Sequence, residues 1–491
     1  MKRILFTILV TMLAAASAFA QQSMLRSAYF MSGYNGRGDL NPAFSAERNY
    51  FSLPSLGGTA LSVQSNMGVS TFLYPIDGQL TTFMSSNVSP DDFLSKLKNN
   101  NRLGVNVGVS VFSLGIWGCK SFFTFGIRQR VNAGLNVPYS LFDFMKNAGK
   151  SQYYDISDIA VNADAYMEYS FGWSRQFADK INVGARVKFL MGEGRAEARI
   201  DKMHVQMTED RWIVTSSGKL TAACGLLDVK TKGETGADID SPEDVDLLDE
   251  FDFKEVNGSN IGSLIGGYGA AIDLGAELEL IPGLRLSLAV NDLGGILWNS
   301  VTEAKTRKDS WSFAGFEDIS FDEGEGKENS LSEQFKALGD DFQDLAKFYR
   351  TAKDASKFKM LTMTLNFGAE YVMPFYKGLT AGFLSSSRFN GPHTWSEGRF
   401  YANLKPCDWF SFATNYAISS YGSTMGAALG FHAAGFNMFL GADAIGFKYA
   451  KATAQGLVYP YGQLHLGLNF GISFNLGRRH DTAPRHALIS L

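Results

Sequence analysis

The chain has 491 residues and a formal net charge of −4, and its 51 glycines and 39 phenylalanines stand against only 12 prolines. That charge leaves no electrostatic footprint for nucleic acid. Beyond residue 20 no run of about 20 apolar residues occurs, so spanning by helices is excluded, while a barrel with a polar lumen is not.

At the N-terminus Lys2 and Arg3 precede an apolar run from Ile4 to Leu13, and Ala18-Phe19-Ala20 forms a small-x-small cleavage site. Residues 1–20 therefore read as a secretory signal peptide. An anchor helix is the alternative, but the run is short for one. No cysteine follows it, so it is not a lipoprotein signal. The three cysteines, Cys119, Cys224 and Cys407, are far apart and form no metal or redox motif. Ser23 to Asn66 is rich in Gly, Ser and aromatic residues and contains Asp39-Leu40-Asn41-Pro42-Ala43-Phe44. A short helix is predicted over Pro90 to Lys98, with Ser89 as its N-cap.

Strict alternation then dominates. Val161 to Trp173 places Ala163, Ala165, Met167, Tyr169 and Phe171 on one face and Asn162, Asp164, Tyr166, Glu168 and Ser170 on the other. Ile181 to Phe189 returns with Arg186 and Lys188 on its polar face. Ile272 to Leu280 carries Asp273, Glu277 and Glu279 inward, turns at Pro282-Gly283, and returns with Arg285 inward. Val105 to Val111, Phe123 to Arg130, Leu361 to Met373 and the segments from Leu379 onward behave alike. The last strand is the cleanest: Leu464, Leu466, Leu468, Phe470, Ile472, Phe474 and Leu476 alternate with Gln463, His465, Gly467, Asn469, Gly471, Ser473 and Asn475. Lipid cannot satisfy a backbone, so a strand with one hydrocarbon face belongs in a closed ring. The fold class is all-β, a transmembrane antiparallel β-barrel. A soluble sandwich would alternate too, but uniformly apolar faces in a long exported chain weigh against it.

Insertions interrupt the strands. Residues 230–260 form an acidic loop, and Glu317 to Glu328 a second one. A loop helix is predicted over residues 330–354, with Ser330 and Glu333 as a capping box and Leu331, Phe335, Leu338, Phe342, Leu345 and Tyr349 on one face.

Leu25-Arg26-Ser27-Ala28-Tyr29-Phe30-Met31, Asn41-Pro42-Ala43-Phe44, Gln64-Ser65-Asn66 with Ser70 to Pro75, and Asn390-Gly391-Pro392 with Trp395 and Arg399-Phe400 resemble an uncharacterised family of Bacteroidetes outer-membrane proteins, a domain of unknown function. More distantly, Asn-Pro-Ala before a barrel is similar to the FadL-type long-chain fatty-acid channel superfamily, which also includes a barrel subunit of the type IX secretion machinery. That resemblance implies about 14 strands, with an N-terminal plug or hatch and the first strand within residues 21–100, the hatch motif matching Asn41, Pro42 and Ala43. An ordinary Asn-Pro turn is the alternative. The barrel then spans residues 101–477, and residues 478–491 form a C-terminal tail that runs past the aromatic on which many such barrels end.

Candidate lumen-lining residues are Arg128, Arg130, Asp164, Glu168, Arg186, Lys188 and His465. Asp164 and Glu168 are expected to pair with Arg186 and Lys188 across a hairpin. They form either a charged constriction or a neutralised network that holds a plug, and a plugged barrel's need for polar contacts favours the second. Asp238, Asp240 and Asp244 offer hard oxygens for calcium, but Pro242 and Glu243 break the calcium-loop pattern, which leaves a solvated acidic surface. An enzyme would need a histidine paired with a serine or an acid, and neither His432 nor His465 lies in a nucleophile motif. No catalytic residue, cofactor or metal is expected. The expected partners are outer-membrane lipid, small hydrophobic solutes, and other outer-membrane or periplasmic proteins. The function expected is uptake or binding of small compounds across the outer membrane; a non-transporting scaffold in a secretion or assembly complex is the alternative.

Overall fold

The structure, a computed structural model, describes residues 25–31, 33–54, 56–76, 79–147, 152–178, 180–208, 211–239, 242–254, 261–306, 310–313, 347–389, 394–445, 449–451, 458–460 and 463–480. The predicted signal peptide, the second acidic loop, Asn390-Gly391-Pro392 and residues 481–491 of the tail lie outside them.

Fourteen antiparallel strands close into one ring. They are β1 (Thr59–Gly68, led by the short Asn49–Ser52), β2 (Asn100–Gly118), β3 (Ser121–Pro138), β4 (Ile159–Ala178), β5 (Ile181–Met207), β6 (Gly267–Ile281) and β7 (Leu284–Thr306). The second half is β8 (Met363–Val372), β9 (Leu379–Phe389), β10 (Trp395–Cys407), β11 (Phe410–Ser419), β12 (Gly422–His432), β13 (Phe436–Ile445) and β14 (Gln463–Leu476). Each pairs with the next in sequence. The seam is made by β14, which pairs with β13 on one side (Leu440↔Phe470) and with the start of the barrel on the other (Thr59↔Phe470, Asn49↔Leu476). No edge is left along the ring, which is the condition for crossing hydrocarbon.

Burial follows the pleat. On β14 His465, Asn469 and Ser473 are buried, while Leu468 and Leu476 are about half exposed. On β4 Glu168 is fully buried and Phe171, three residues on, is 52% exposed. Val187, Phe367, Phe400 and Leu440 extend the same outward belt. Large apolar side chains exposed all round a ring are a lipid-facing surface, not a soluble one. Phe177, Phe375 and Trp409 stand out at the short-turn end, where an interfacial aromatic girdle belongs. Turns at this end are tight. Cys119 and Lys120 both take positive φ, as a two-residue hairpin of matching twist requires, and Gly283 supplies φ +83° after Pro282.

The other end rises beyond any bilayer. The 27 residues of β5 and the 23 of β7 exceed the roughly 9–11 needed to cross. Above the start of β6, strand Trp212–Ala223 takes its place between them, and Phe348–Met360 pairs with the outer part of β7. Here the helix predicted over 330–354 is corrected from residue 348 onward. Residues 330–346 fall outside the described segments, but Phe348–Met360 is a strand, with Tyr349 opposite Lys305 and bridged to Leu247. A free backbone edge on β7 offers a full ladder of hydrogen bonds, and tertiary pairing overrides a local helical period.

The acidic loop is also more ordered than expected. Leu227–Thr231 pairs with Leu248–Phe253, and the helical turn Lys232–Thr235 between them is capped by Glu234, whose carboxylate accepts from the Thr231 backbone at 3.1 Å. This lobe docks on the Phe348–Met360 strand. Arg350 grips Glu234 with both guanidinium nitrogens (2.7 and 3.0 Å), Lys353 adds a third contact at 3.0 Å, and the Tyr349 hydroxyl donates to Asp244. The predicted short helix is present as Pro90–Leu94, with the Ser89 hydroxyl accepting from the Asp92 backbone.

Candidate functional site in the barrel lumen

The chain from Leu25 to Ala46 lies inside the ring. Leu25, Ala28, Tyr29, Met31, Leu40, Asn41 and Ala43 are each at most 1% exposed. Strands far apart in sequence hold it. Asp443 on β13 accepts from the Arg26 and Ser27 backbone nitrogens at 2.9 and 2.6 Å. Tyr401 on β10 donates to the Arg26 carbonyl at 2.6 Å. Asn291 on β7 and Asn366 on β8 both donate to the Leu40 carbonyl. Asn35 donates to Ser473 on β14. The polar alternation that keeps these strands wet inside thus supplies the partners for an inserted backbone, whose groups would otherwise be buried unpaired.

Asn41-Pro42-Ala43 rests on a flat patch of the wall. Gly184 on β5 and Gly275 on β6 are register partners. A Cβ at Gly275 would stand 2.0 Å from Asn41 Oδ1, and one at Gly184 2.1 Å from the Pro42 carbonyl oxygen. Only a glycine pair permits that approach. Asn41 Oδ1 accepts from the Ala43 nitrogen at 2.9 Å, and its Nδ2 donates to the Ala276 carbonyl, which fixes the turn to the wall.

Beside this turn lies a layer of buried charge. Glu168 meets Arg130 at 2.9 Å, Lys188 at 3.6 Å and Arg128 at 3.9 Å. Lys188 also meets Asp273 and Asp292 at 2.8 and 2.6 Å, and Arg130 meets Asp292 at 2.9 Å. Asp39, carried by the inserted segment, pairs with Arg128 and with Arg186, the latter at 2.9 Å. Four cations face four carboxylates. The wall by itself carries one excess positive charge, and Asp39 neutralises it. A buried network of this kind is stable only when every member is satisfied.

The structure therefore brings together Arg128, Arg130, Glu168, Arg186 and Lys188, and leaves out Asp164 and His465. Asp164 stands higher on β4 and accepts from Asn132 at 2.8 Å. His465 is buried on β14 opposite Gln64. The expected hairpin pairing holds for Glu168 with Lys188. Arg186 instead turns to Asp39 and to Asp273, at 3.9 Å. Sequence reasoning missed Asp39 as a partner, because its role depends on where the inserted segment sits. It also missed Asp292, which takes positive φ at a bulge opposite Asp273.

Further clusters complete the lining. Arg26 pairs with Glu397 at 3.3 Å and stacks on Trp395; Arg399 pairs with Glu397 at 3.1 Å; Arg285 pairs with Glu370 at 3.6 Å. Near the short-turn end Ser411 Oγ lies 2.6 Å from His432 Nε2, and His432 Nδ1 lies 3.1 Å from Asn437 Nδ2. The trio has the outline of a nucleophile, base and orienter, but its polarity is reversed. Asn437 Nδ2 also donates to the Gly33 carbonyl, so the nitrogen faces the ring, Nδ1 accepts and Nε2–H donates to Ser411. A general base needs the opposite tautomer. Ser411 is 2% exposed, so the trio clamps Gly33 of the inserted segment.

Free space is distributed unevenly. Between the inserted segment and the wall it amounts to about 40 Å³, room for a few waters. Above the charged layer a cavity of about 390 Å³ opens, lined by Ile296, Trp298 and Phe389 together with Asp164, Arg195 and Lys359. A second, of about 450 Å³, lies at the mouth beside Arg102 and Tyr421.

These features define a class: a fourteen-stranded transmembrane β-barrel with its own N-terminal chain packed in the lumen. The chain belongs to the family of unknown function DUF5723, whose model matches residues 42–443. No curated protein sequence matches it. Among solved structures it is similar to the toluene transporter TbuX of Ralstonia pickettii (9% identity, 94% of this chain and 95% of that one covered, TM-score 0.37). It is also similar to a FadL homologue of Pseudomonas aeruginosa (12% identity, 93% and 98% covered, TM-score 0.37) and to the toluene transporter TodX of Pseudomonas putida (9% identity, 94% and 96% covered, TM-score 0.36). The fold assignment rests on the hydrogen-bonded ring itself.

Proposed function

We propose that this protein is an outer-membrane channel that takes up or binds small compounds with an apolar part, and that residues 25–46 are a hatch closing it at rest. The observation that carries the reading is the position of Asp39. The charged layer of the wall is one negative charge short, and the missing charge arrives on the segment that fills the passage. A segment held by ion pairs can be released by competing for them, which a covalently continuous wall cannot. Support for a solute comes from the cavity above the charged layer, whose volume lies in the range of ligand pockets and whose lining mixes Trp298 and Ile296 with charged groups. Residues 1–20 act as the export signal in this reading, and the outer membrane is the destination.

The test is conductance and solute flux in reconstituted bilayers. The intact mature chain is expected to be almost silent, and a chain lacking residues 25–46 to conduct in steady steps. A deletion variant that inserts as a folded barrel and stays silent would sink the hatch reading. Membrane fractionation of the producing cell checks the destination.

A further inference from the structure

Of the lumen's described arginines, Arg26, Arg128, Arg130, Arg186, Arg285 and Arg399 each have a carboxylate within 4.0 Å. Arg37, whose Nε donates to the Tyr29 carbonyl within the inserted segment, Arg102 and Arg388 have none among the described residues. Arg102 Nη1 donates to the Thr394 carbonyl at 2.7 Å, and its Nε is buried without a partner. Arg388 Nη1 reaches across the lumen from β9 to Asn106 on β2 at 3.3 Å. Asn106 is four residues along the same strand from Arg102, and Tyr421 lines the same cavity as Arg102. The 450 Å³ cavity at the mouth is lined by Arg102, Lys98, Tyr421 and asparagine side chains, and none of its described lining residues is acidic.

The setting is built, not loose. Asn66 donates to the Asn100 carbonyl and accepts from the Arg102 nitrogen, both at 2.7 Å, so the backbone under Arg102 is pinned. A half-buried guanidinium with an unused donor costs free energy unless something accepts from it. With Nη1 engaged and Nε shielded, Nη2 is the nitrogen left for a ligand, and with the guanidinium charge it suits an oxyanion. The geometry points to a binding site at the extracellular mouth for the oxyanion of a small solute, a carboxylate or a phosphate, held by Arg102 with Arg388 below it and Lys98 above. This deepens the uptake reading by naming the charged end of the solute, and it rests on that reading only for the direction of travel.

Binding is measured on the intact detergent-solubilised protein by calorimetry at low salt, with inorganic phosphate and octanoate as separate titrants. At least one is expected to bind, more weakly as salt rises. Arg102→Gln and Arg388→Gln are each expected to weaken it by about tenfold or more, the scale of a charge-assisted hydrogen bond. Arg102→Lys keeps the charge and loses the fixed plane that Thr394 holds, so it should fall between wild type and Arg102→Gln. Lys353→Gln, on the strand that receives the docked lobe, should leave binding unchanged. Phosphate binding alone assigns a phosphorylated solute; octanoate binding alone assigns a carboxylate amphiphile. The site is overturned if neither titrant binds, or if both Gln variants, shown folded by heat-modifiable migration on gels, bind as wild type does. Conductance without such binding leaves the channel and removes this site; binding without conductance does the reverse.

Discussion

At the scale of single residues, Asp39 is the most consequential side chain in the lumen. Asp39→Asn leaves Arg128 and Arg186 buried with reduced compensation, and breaking a buried pair typically costs about 3–5 kcal/mol. The expected outcome is a lower heat-modifiability midpoint and raised conductance. Arg186→Glu should act in the same direction and more strongly, since it sets a third acid beside Asp39 and Asp273. Gly275→Val acts by shape alone: its side chain needs the volume held by Asn41 and Pro42. It should raise solute flux while the barrel still migrates as folded, and an unchanged flux would argue against a seated hatch. The charged members of this site were legible in part. Arg128, Arg130, Glu168, Arg186 and Lys188 stand out because a charge on a regular polar face must point inward. Asp39 and Asp292 do not, because one sits in an irregular segment and the other at a bulge, and neither feature has a sequence period.

At the scale of elements, the barrel strands were readable because lipid imposes an unbroken period of two. The strand at Phe348–Met360 was not. It lies above the bilayer, where nothing enforces alternation, and the helical period read over residues 331–345 extends in the sequence through Tyr349. Its docked acidic lobe offers a pH test. The Glu234 carboxyl is lowered from its ordinary value of 4.5 to about 2, chiefly by the hydrogen bonds from Arg350. A depressed carboxylate stabilises docking fully above its ordinary value, and that contribution is lost as pH falls through the folded one. Hydrogen exchange in residues 227–231 and 248–253 should therefore quicken, relative to its intrinsic rate, between about pH 4.5 and pH 2. Glu234→Gln should show the faster exchange at neutral pH and lose the pH dependence.

At the scale of the molecule, ring closure and strand direction followed from alternation, while the number of strands came from resemblance and not from counting periods. The seam between β14 and the β1 end joins residues more than four hundred positions apart, as in the pair Asn49 and Leu476. Residues 25–46 touch β3, β5, β6, β7, β8, β10, β13 and β14 across that ring. A chain held by so many strands helps to gather them, so the ring is expected to close around it like a cask around its mandrel. Barrels refolded without residues 25–46 should close more slowly and with more misregistered seams than the full chain, and adding those residues back as a free peptide after closure should not repair them.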